Sequence, residues 1–259
     1  MAKVIRQLSA SAAIAVAAVC TAASAQAESG VTFTIGAGAR YAPSYFGADH
    51  YDTKPTAKVK LNSFRLQGMR FGSDDPNYEK LGPNVHGSFR LVGGRNSSDY
   101  SEIAGLDDVD TSLELGLGLG YQAPQWGAFA DMRYGVVGHN AVVAEIGADW
   151  KPIKTDNFKL SIGPRIFYGS GLYNRTYFGI SPSESTASGL AAYSPDGGLV
   201  STGLELSATY QLGNNWAVEG KLNYDRLQGD AANSPIVQQG SREQSSVSLM
   251  LTRRVTFPF

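Results

Sequence analysis

Apolar and polar residues alternate in segment after segment of this chain. In residues 113–121, four leucines and Tyr121 alternate with Glu114 and three glycines. A period of two places the two sets of side chains on opposite faces of a β-strand. The pattern therefore predicts an all-β protein of amphipathic strands, without a visible domain boundary. The same alternation runs through residues 31–41, 142–150, 158–168, 216–224 and 245–259.

The polar faces of these segments carry charges of both signs, whereas the apolar faces carry few. An apolar exterior with a polar interior is the arrangement of an outer-membrane β-barrel. Because unpaired buried charge is costly, we expect the inward charges to pair across strands and fill the lumen. The alternative is that they line a small pore and set its selectivity. The predicted inward set is Arg40, Glu114, Asp131, Arg133, Glu145, Asp149, Lys159, Arg165, Glu205, Glu219, Lys221, Asp225 and Arg254.

The connections between the segments set the strand count. Short connections are predicted to be periplasmic turns and long ones extracellular loops. This scheme predicts a closed antiparallel transmembrane β-barrel of about 10 strands if residues 54–71 form one bent strand. It gives 12 if that segment is a hairpin and another strand forms around residues 173–180. The short connections are 122–125, 151–156 and 213–215, and the long ones are 42–53, 95–110, 169–197 and 228–242.

Each short connection has a tryptophan beside it on the apolar phase. These are Trp126, Trp150 and Trp216. Tryptophan prefers the interface between membrane and water, so the three indoles are predicted to form one interfacial belt on the periplasmic side.

The first residues have the pattern of a secretory signal peptide. Lys3 and Arg6 precede an apolar stretch, and Ala25-Gln26-Ala27 forms a small-x-small cleavage site. We therefore expect residues 1–27 to be a signal peptide and residues 28–259 to form the outer-membrane β-barrel. Cys20, the only cysteine, falls in the predicted signal peptide, so disulfides are not expected to stabilise the rest.

The last segment is an alternating strand that finishes on aromatic residues. Such an ending resembles the assembly signal of bacterial outer-membrane barrels, with Phe257 and Phe259 as the signal residues and the barrel assembly machinery as the partner that reads it. Pro258 between them departs from that pattern. We expect deletion of Phe259 to lower the amount of protein in the outer membrane.

Net charge and the reactive side chains mainly exclude classes of function. Without Lys3 and Arg6, 20 of the 22 basic residues remain against 23 acidic ones, a net charge of −3, and nothing favours nucleic acid. We predict no catalytic residues, cofactor or metal site. The three histidines, His50, His86 and His139, lack a serine and an acid at a suggestive spacing. We interpret them as solvated or interfacial side chains.

Several segments together resemble the MipA/OmpV family of outer-membrane proteins. The resemblance implies a bacterial outer-membrane barrel in contact with outer-membrane lipid, and it brings no catalytic residues. It also implies a scaffold that links a murein transglycosylase to a penicillin-binding protein. A small-solute pore and, less favoured, a lipid-modifying barrel enzyme are the alternatives. The segments are residues 36–47 (GAGARYAPSYFG), 114–116, 134–136, 177–180, 188–190, Tyr193 and 227–237 (LQGDAANSPIV).

Overall fold

The computed structural model describes residues 29–66, 69–73, 79–213 and 215–259. The predicted signal peptide, residues 1–27, lies outside the described residues and stays a prediction. Within the described part, no helix is long and apolar enough to cross a membrane.

The described residues form one antiparallel sheet of eleven strands. Ten strands have 11–16 residues, and β3 has only 4. Their bounds are β1 Gly30–Pro43, β2 Tyr51–Leu66, β3 Met69–Gly72, β4 Gly82–Val92, β5 Ser112–Gln122, β6 Trp126–Val137, β7 Val142–Lys154, β8 Phe158–Gly169, β9 Gly198–Gln211, β10 Trp216–Leu227 and β11 Glu243–Pro258.

The sheet curls into a barrel. Strands β4 to β11 pair in chain order, and β11 pairs with β1, where Gly36 lies opposite Thr252. On its other edge β1 pairs with β2, and β2 lies beside β4. The predicted all-β antiparallel barrel is confirmed, with ten long strands and the short β3. The hairpin of the twelve-strand alternative is present as β2 and β3, but the strand predicted around residues 173–180 is a helix instead.

Alternation along the strands separates an apolar exterior from a polar lumen, as predicted. On β5, Leu117 and Leu119 are 68% and 66% exposed on the outer face, whereas Glu114 is fully buried on the inner face. The glycines between the leucines face inward and leave room for long side chains from neighbouring strands. Burial of outward leucines by lipid would then complete the fold in a membrane.

The two ends of the barrel differ. The first and last strands start and finish at the end where the 123–125, 155–157 and 212–215 turns lie, which we name the terminal end. The opposite end, which we name the capped end, carries the long connections. Four short helices and two 3₁₀ turns lie in these connections: α1 Gly171–Phe178, α2 Pro182–Ser188, α3 Gly229–Asn233, α4 Pro235–Gln238, Ser97–Asp99 and Ser101–Ile103.

The connections of the capped end pack together as a cap. Helix α1 buries Tyr173, Tyr177 and Phe178 against the inner faces of the strands at the capped end. There the inner faces carry Val143 and Phe167 in place of the charges found deeper in the lumen. A second buried cluster ties the remaining loops to the first. Burial of large aromatic side chains contributes on the order of 2 kcal/mol each, so the cap is a packed element of the fold. The second cluster contains Tyr45, Ala48, Ile103, Leu106, Ile180 and Ile236.

Candidate functional site: the charged lumen and its cap

A buried network of charges crosses the inner faces of strands β4 to β7. The guanidinium of Arg133, 3% exposed, donates from Nε to Glu114 Oε2 at 3.0 Å and from Nη2 to Glu145 Oε2 at 2.7 Å. It also donates to the hydroxyl of Ser88 at 3.1 Å. Arg90 Nη1 lies 3.5 Å from Glu114 Oε1. Charge-assisted bonds of this kind offset the desolvation of the ions, so Arg133 is the centre of the network.

A second network crosses β7 to β10. Arg165 Nη2 lies 2.7 Å from Asp149 Oδ1 and 3.0 Å from Glu205 Oε1, and its guanidinium stands 5.2 Å from the ring centre of Phe129. Lys221 donates to the same Glu205 at 3.1 Å. One carboxylate between two cations links three strands in a ladder of side chains.

A third pair spans strands that are not neighbours. Lys58 on β2 donates to Glu219 Oε1 on β10 at 2.8 Å, across the inward faces of β1 and β11. Such a bridge narrows the lumen, because its two side chains lie across the lumen rather than along the wall.

The prediction that inward charges pair is confirmed for most of the set. Arg40, Lys159 and Asp225 line the cavity but make no ion pair within the described residues, and Arg40 donates instead to Ser246. Arg90, Lys58 and Ser88 were not among the predicted inward residues. Each lies on the polar phase of an alternating strand, so the alternation could have identified it.

The interpretation of the histidines as solvated or interfacial side chains was wrong for His139. His86 lies on the inner face of β4 and contacts Asp131 Oδ1 through Nε2 at 2.9 Å. The side chain of His139 is fully buried below α1, with Nε2 3.2 Å from Glu114 Oε1. The turn between β6 and β7 folds that ring back into the barrel mouth, which the linear pattern does not reveal. His50 is a partly exposed loop residue, 3.3 Å from Asp49.

The cap is held by polar contacts as well as by packing. Tyr177 donates its phenol to Ser112 Oγ at 3.1 Å, and buried Arg95 donates to the carbonyl of Tyr177 at 3.3 Å. Burial raises the pKa of the Tyr177 phenol, so it remains a hydrogen-bond donor. Burial of Glu184 opposes its ionisation, but the amides of Asp107 and Ser181 donate to its carboxylate, and its pKa is lowered.

The side chains predicted to mark the membrane lie on the outside of the terminal end. Trp126 and Trp150 are direct partners across β6 and β7, and Trp216 begins β10. Phe257 lies near Phe33 on the exposed outer face of β11, with ring centres 6.4 Å apart. Phe259 is 64% exposed and lies near Phe64. The interfacial belt and the assembly signal stay predictions.

Gly135 provides the space that His139 occupies. A Cβ at this position would lie 2.5 Å from the imidazole Cε1, and the side chain of His139 is fully buried. We expect Gly135→Ala to displace the ring from Glu114 and to cost about 1–3 kcal/mol of unfolding free energy. Urea unfolding of the barrel in detergent, followed by tryptophan fluorescence, measures the change.

Gly220→Ala is the matched control for that substitution. Gly220 also lies within a strand, and a Cβ there would meet nothing closer than 4.0 Å. Its unfolding midpoint should equal that of the unsubstituted protein. A similar midpoint for both variants would show that the His139 pocket has space to spare.

Metal ligation finds no support in this arrangement. In the described parts of the chain, no three His, Cys, Asp or Glu side chains are grouped so that they could hold a metal ion.

The apolar outer wall and the charge-paired lumen define an outer-membrane β-barrel protein. Comparison with known proteins specifies the family. The chain belongs to the family described as MltA-interacting protein MipA, whose family model matches residues 35–255. Its location is the bacterial outer membrane.

Sequence identity to two individual relatives is below 30%. The MltA-interacting protein of Escherichia coli K12 is 29% identical over 165 residues, 62% of this chain and 64% of that protein. The putative outer membrane protein YiaT of Escherichia coli O157:H7 is 26% identical over 215 residues, 80% of this chain and 85% of that protein. The crystal structure of an outer membrane channel from Pseudomonas putida F1 matches with a TM-score of 0.44 and 13% identity, covering 87% of this chain and 96% of that one. The chain thus spans less than two thirds of MltA-interacting protein.

Proposed function

We propose that the protein is a non-enzymatic outer-membrane barrel that binds a murein-remodelling enzyme at its terminal end. The observation that carries this proposal is the cap, because α1 and its aromatic cluster occupy the mouth at the capped end. The ion pairs narrow the lumen below it. Such a barrel is better suited to hold a partner than to conduct solutes. Family membership and the name of the Escherichia coli relative, MltA-interacting protein, support a murein transglycosylase as that partner.

Basic side chains cluster on the rim of the terminal end, around the ends of β4, β7 and β8. Glu79 pairs with both Lys151 and Lys154, so that two lysines share one carboxylate. Lys80 and Lys159 add positive charge without an ion pair among the described residues. An uneven distribution of charge attracts a partner of opposite sign and orients its approach. We therefore expect an acidic surface on the partner enzyme. With the short turns in the periplasm, this rim faces the murein layer.

The non-enzymatic part of the proposal rests on the geometry around Ser112, a buried serine at the start of β5 that contacts the cap. Ser112 accepts from the amide of His139 at 3.1 Å, but neither ring nitrogen faces its hydroxyl. One nitrogen contacts Glu114, and Nδ1 accepts from the amide of Ala141 at 3.0 Å. A serine nucleophile needs an adjacent base that can take its proton. These residues instead support a structural role.

A binding assay with purified proteins tests the proposal. The intact barrel in detergent is immobilised, and a purified murein lytic transglycosylase and a purified penicillin-binding protein are passed over it. We expect the transglycosylase to be retained, and the double variant K80E/K154E to weaken its binding about tenfold at low salt, because rim charges steer association. Lack of binding by the unsubstituted barrel would contradict the proposal.

The control reverses two charges at the other end. Arg175 and Arg242 are exposed on the loops of the capped end. The variant R175E/R242E changes the net charge equally, so it should bind the transglycosylase like the unsubstituted protein. Equal losses in both variants would mean that overall charge, and not the terminal rim, governs binding.

A small-solute pore is the second candidate. A cavity of about 1850 Å³ runs inside the barrel and is lined by charged side chains of both signs. Such a lining suits a polar solute, provided that the cap moves aside. Conductance measurements separate this candidate from the first.

A further inference from the structure

The barrel wall has a gap between β2 and β4. On one edge β2 pairs with β1 along its length, but on the other edge only Ser63 to Leu66 pair, with β3. Strand β4 pairs with β5 alone. The two strands lie side by side, with Cα atoms of some residue pairs within 8 Å. No ladder joins them over the described residues 51–66 and 82–92.

Free strand edges are unfavourable inside a bilayer. Hydrocarbon offers no hydrogen bonds to unpaired N–H and C=O groups, so membrane barrels normally pair every edge. Here two edges lie next to each other without a ladder between them. The gap therefore needs either water from the lumen or a bound molecule along it.

The gap connects the lumen to the outer surface. Alternation places Val59 and Leu61 of β2 and Val85 and Leu91 of β4 on the outer face, and they are 37–68% exposed there. All four also line the lumen cavity. Side chains of an intact wall could not line both sides, so the cavity reaches the bilayer through this gap.

A positive charge lies just inside the apolar lining. Lys60 stands between Val59 and Leu61 in sequence and is directed to the inner face, where it lines the cavity. It is exposed and makes no hydrogen bond or ion pair with the described residues. Lys159 and Arg254 line the same region of the cavity. The gap thus combines an apolar outer part with a basic inner part.

We propose that this gap is a binding site for a long-chain fatty acid. Its carboxylate would pair with Lys60 inside the lumen, and its acyl chain would lie against the outward apolar side chains of β2 and β4 with its far end in the bilayer. The charge of Lys60 selects an anionic head, and the apolar side chains of Val59, Leu61 and Val85 select an acyl chain.

Photolabelling tests the site. The intact protein in phosphatidylcholine nanodiscs is incubated with palmitate that carries a diazirine near its tail, irradiated and mapped by mass spectrometry. We expect label on β2 and β4, close to Leu61 and Val85, and competition by unlabelled palmitate. Methyl palmitate, which lacks the charge, should not compete. Label spread evenly over the outer face of the barrel would overturn the proposal, and so would equal competition by phosphatidylglycerol.

Substitution of the lysine separates a charge-dependent site from simple partition into lipid. Lys60→Gln should reduce labelling of β2 and β4 at least fivefold. Lys80→Gln, at an exposed lysine of the following connection, is the matched control and should label normally. Unchanged labelling of the Lys60 variant would refute the assigned carboxylate contact.

Closing the gap gives a second test that does not depend on the lysine. A Cβ on Gly93 would lie 3.4 Å from Cδ of Lys54, so antiparallel counting places Val59 opposite Ser88, next to Gly87, which shares the outward phase of Val59. Residues 28–259 contain no cysteine, so V59C/G87C can be joined selectively by a short bis-maleimide. Joining should abolish labelling, while each single-cysteine variant treated alike keeps it. Full labelling of the joined protein would place the fatty acid elsewhere.

Discussion

Arg133→Met should destabilise the barrel by about 3–5 kcal/mol, the largest effect that we expect from a single substitution in the lumen. Methionine keeps the length of the side chain but removes the charge. Glu114, fully buried, then loses its bond from Nε, and Glu145 loses its bond from Nη2. Breaking a buried pair from one side leaves an uncompensated charge in a region of low dielectric constant. Urea unfolding in detergent, followed by tryptophan fluorescence, measures the loss.

Two further variants make this prediction specific. Arg226→Met removes an exposed arginine of β10 that makes no hydrogen bond or ion pair with the described residues, so it should change stability by less than about 0.5 kcal/mol. Adding E114Q to R133M should recover part of the loss, because the buried negative charge is removed too. Equal unfolding midpoints for R133M and R226M would mean that water reaches the network and screens it.

Replacing residues 171–197 by a short Gly-Ser turn should convert a barrel whose mouth is closed by the cap into a conducting one. This removes α1, whose Tyr173, Tyr177 and Phe178 fill the mouth at the capped end. We expect stable conductance steps in planar bilayers for the variant and none for the intact protein. Slower migration of the heated than of the unheated protein on an SDS gel would verify that the variant barrel is folded.

The control for this prediction removes only helix α2. Replacement of residues 182–188 takes away a helix without buried residues, so the mouth stays filled and conductance should remain absent. Steady conductance of the intact protein would favour the pore and would count against the cap as a permanent closure.

The strands were predictable because their signal is local. On β5, each leucine faces lipid and each residue between the leucines faces the lumen. A period of two therefore identifies the outer and inner faces of a strand, even when the neighbouring strands are unknown. The ion pairs followed from the same parity, since inward carboxylates and cations must find each other in a narrow barrel.

The cap was not predicted because its order comes from packing between distant loops. Residues 173–180 contain aromatic residues that favour strands, yet Tyr173 and Tyr177 lie one helical turn apart and are buried on one face of α1. That spacing was the available signal. His139 gave none, because its burial depends on the turn after β6 and on a helix more than thirty residues later. Local patterns cannot report such contacts.

Three of the segments that resemble the MipA/OmpV family lie in the cap. Residues 44–47, 177–180 and 229–237 all contribute to the two buried clusters of the cap. The wall strands share their simple alternation with any outer-membrane barrel. Part of the resemblance thus lies in the cap, and residues 36–43, 114–116 and 134–136 place the rest on β1, β5 and β6.

Orientation in the outer membrane tests the account most directly, because a partner at the murein layer can reach only the periplasmic end. Ser183 lies in the cap, and Gln125 lies in a turn of the terminal end; both are exposed. Single cysteines at these positions are treated with a membrane-impermeant maleimide on intact cells and on cells with a permeabilised outer membrane. We expect labelling of S183C on intact cells and of Q125C only after permeabilisation. Labelling of Q125C on intact cells would place the basic rim outside the cell and would contradict the proposed function.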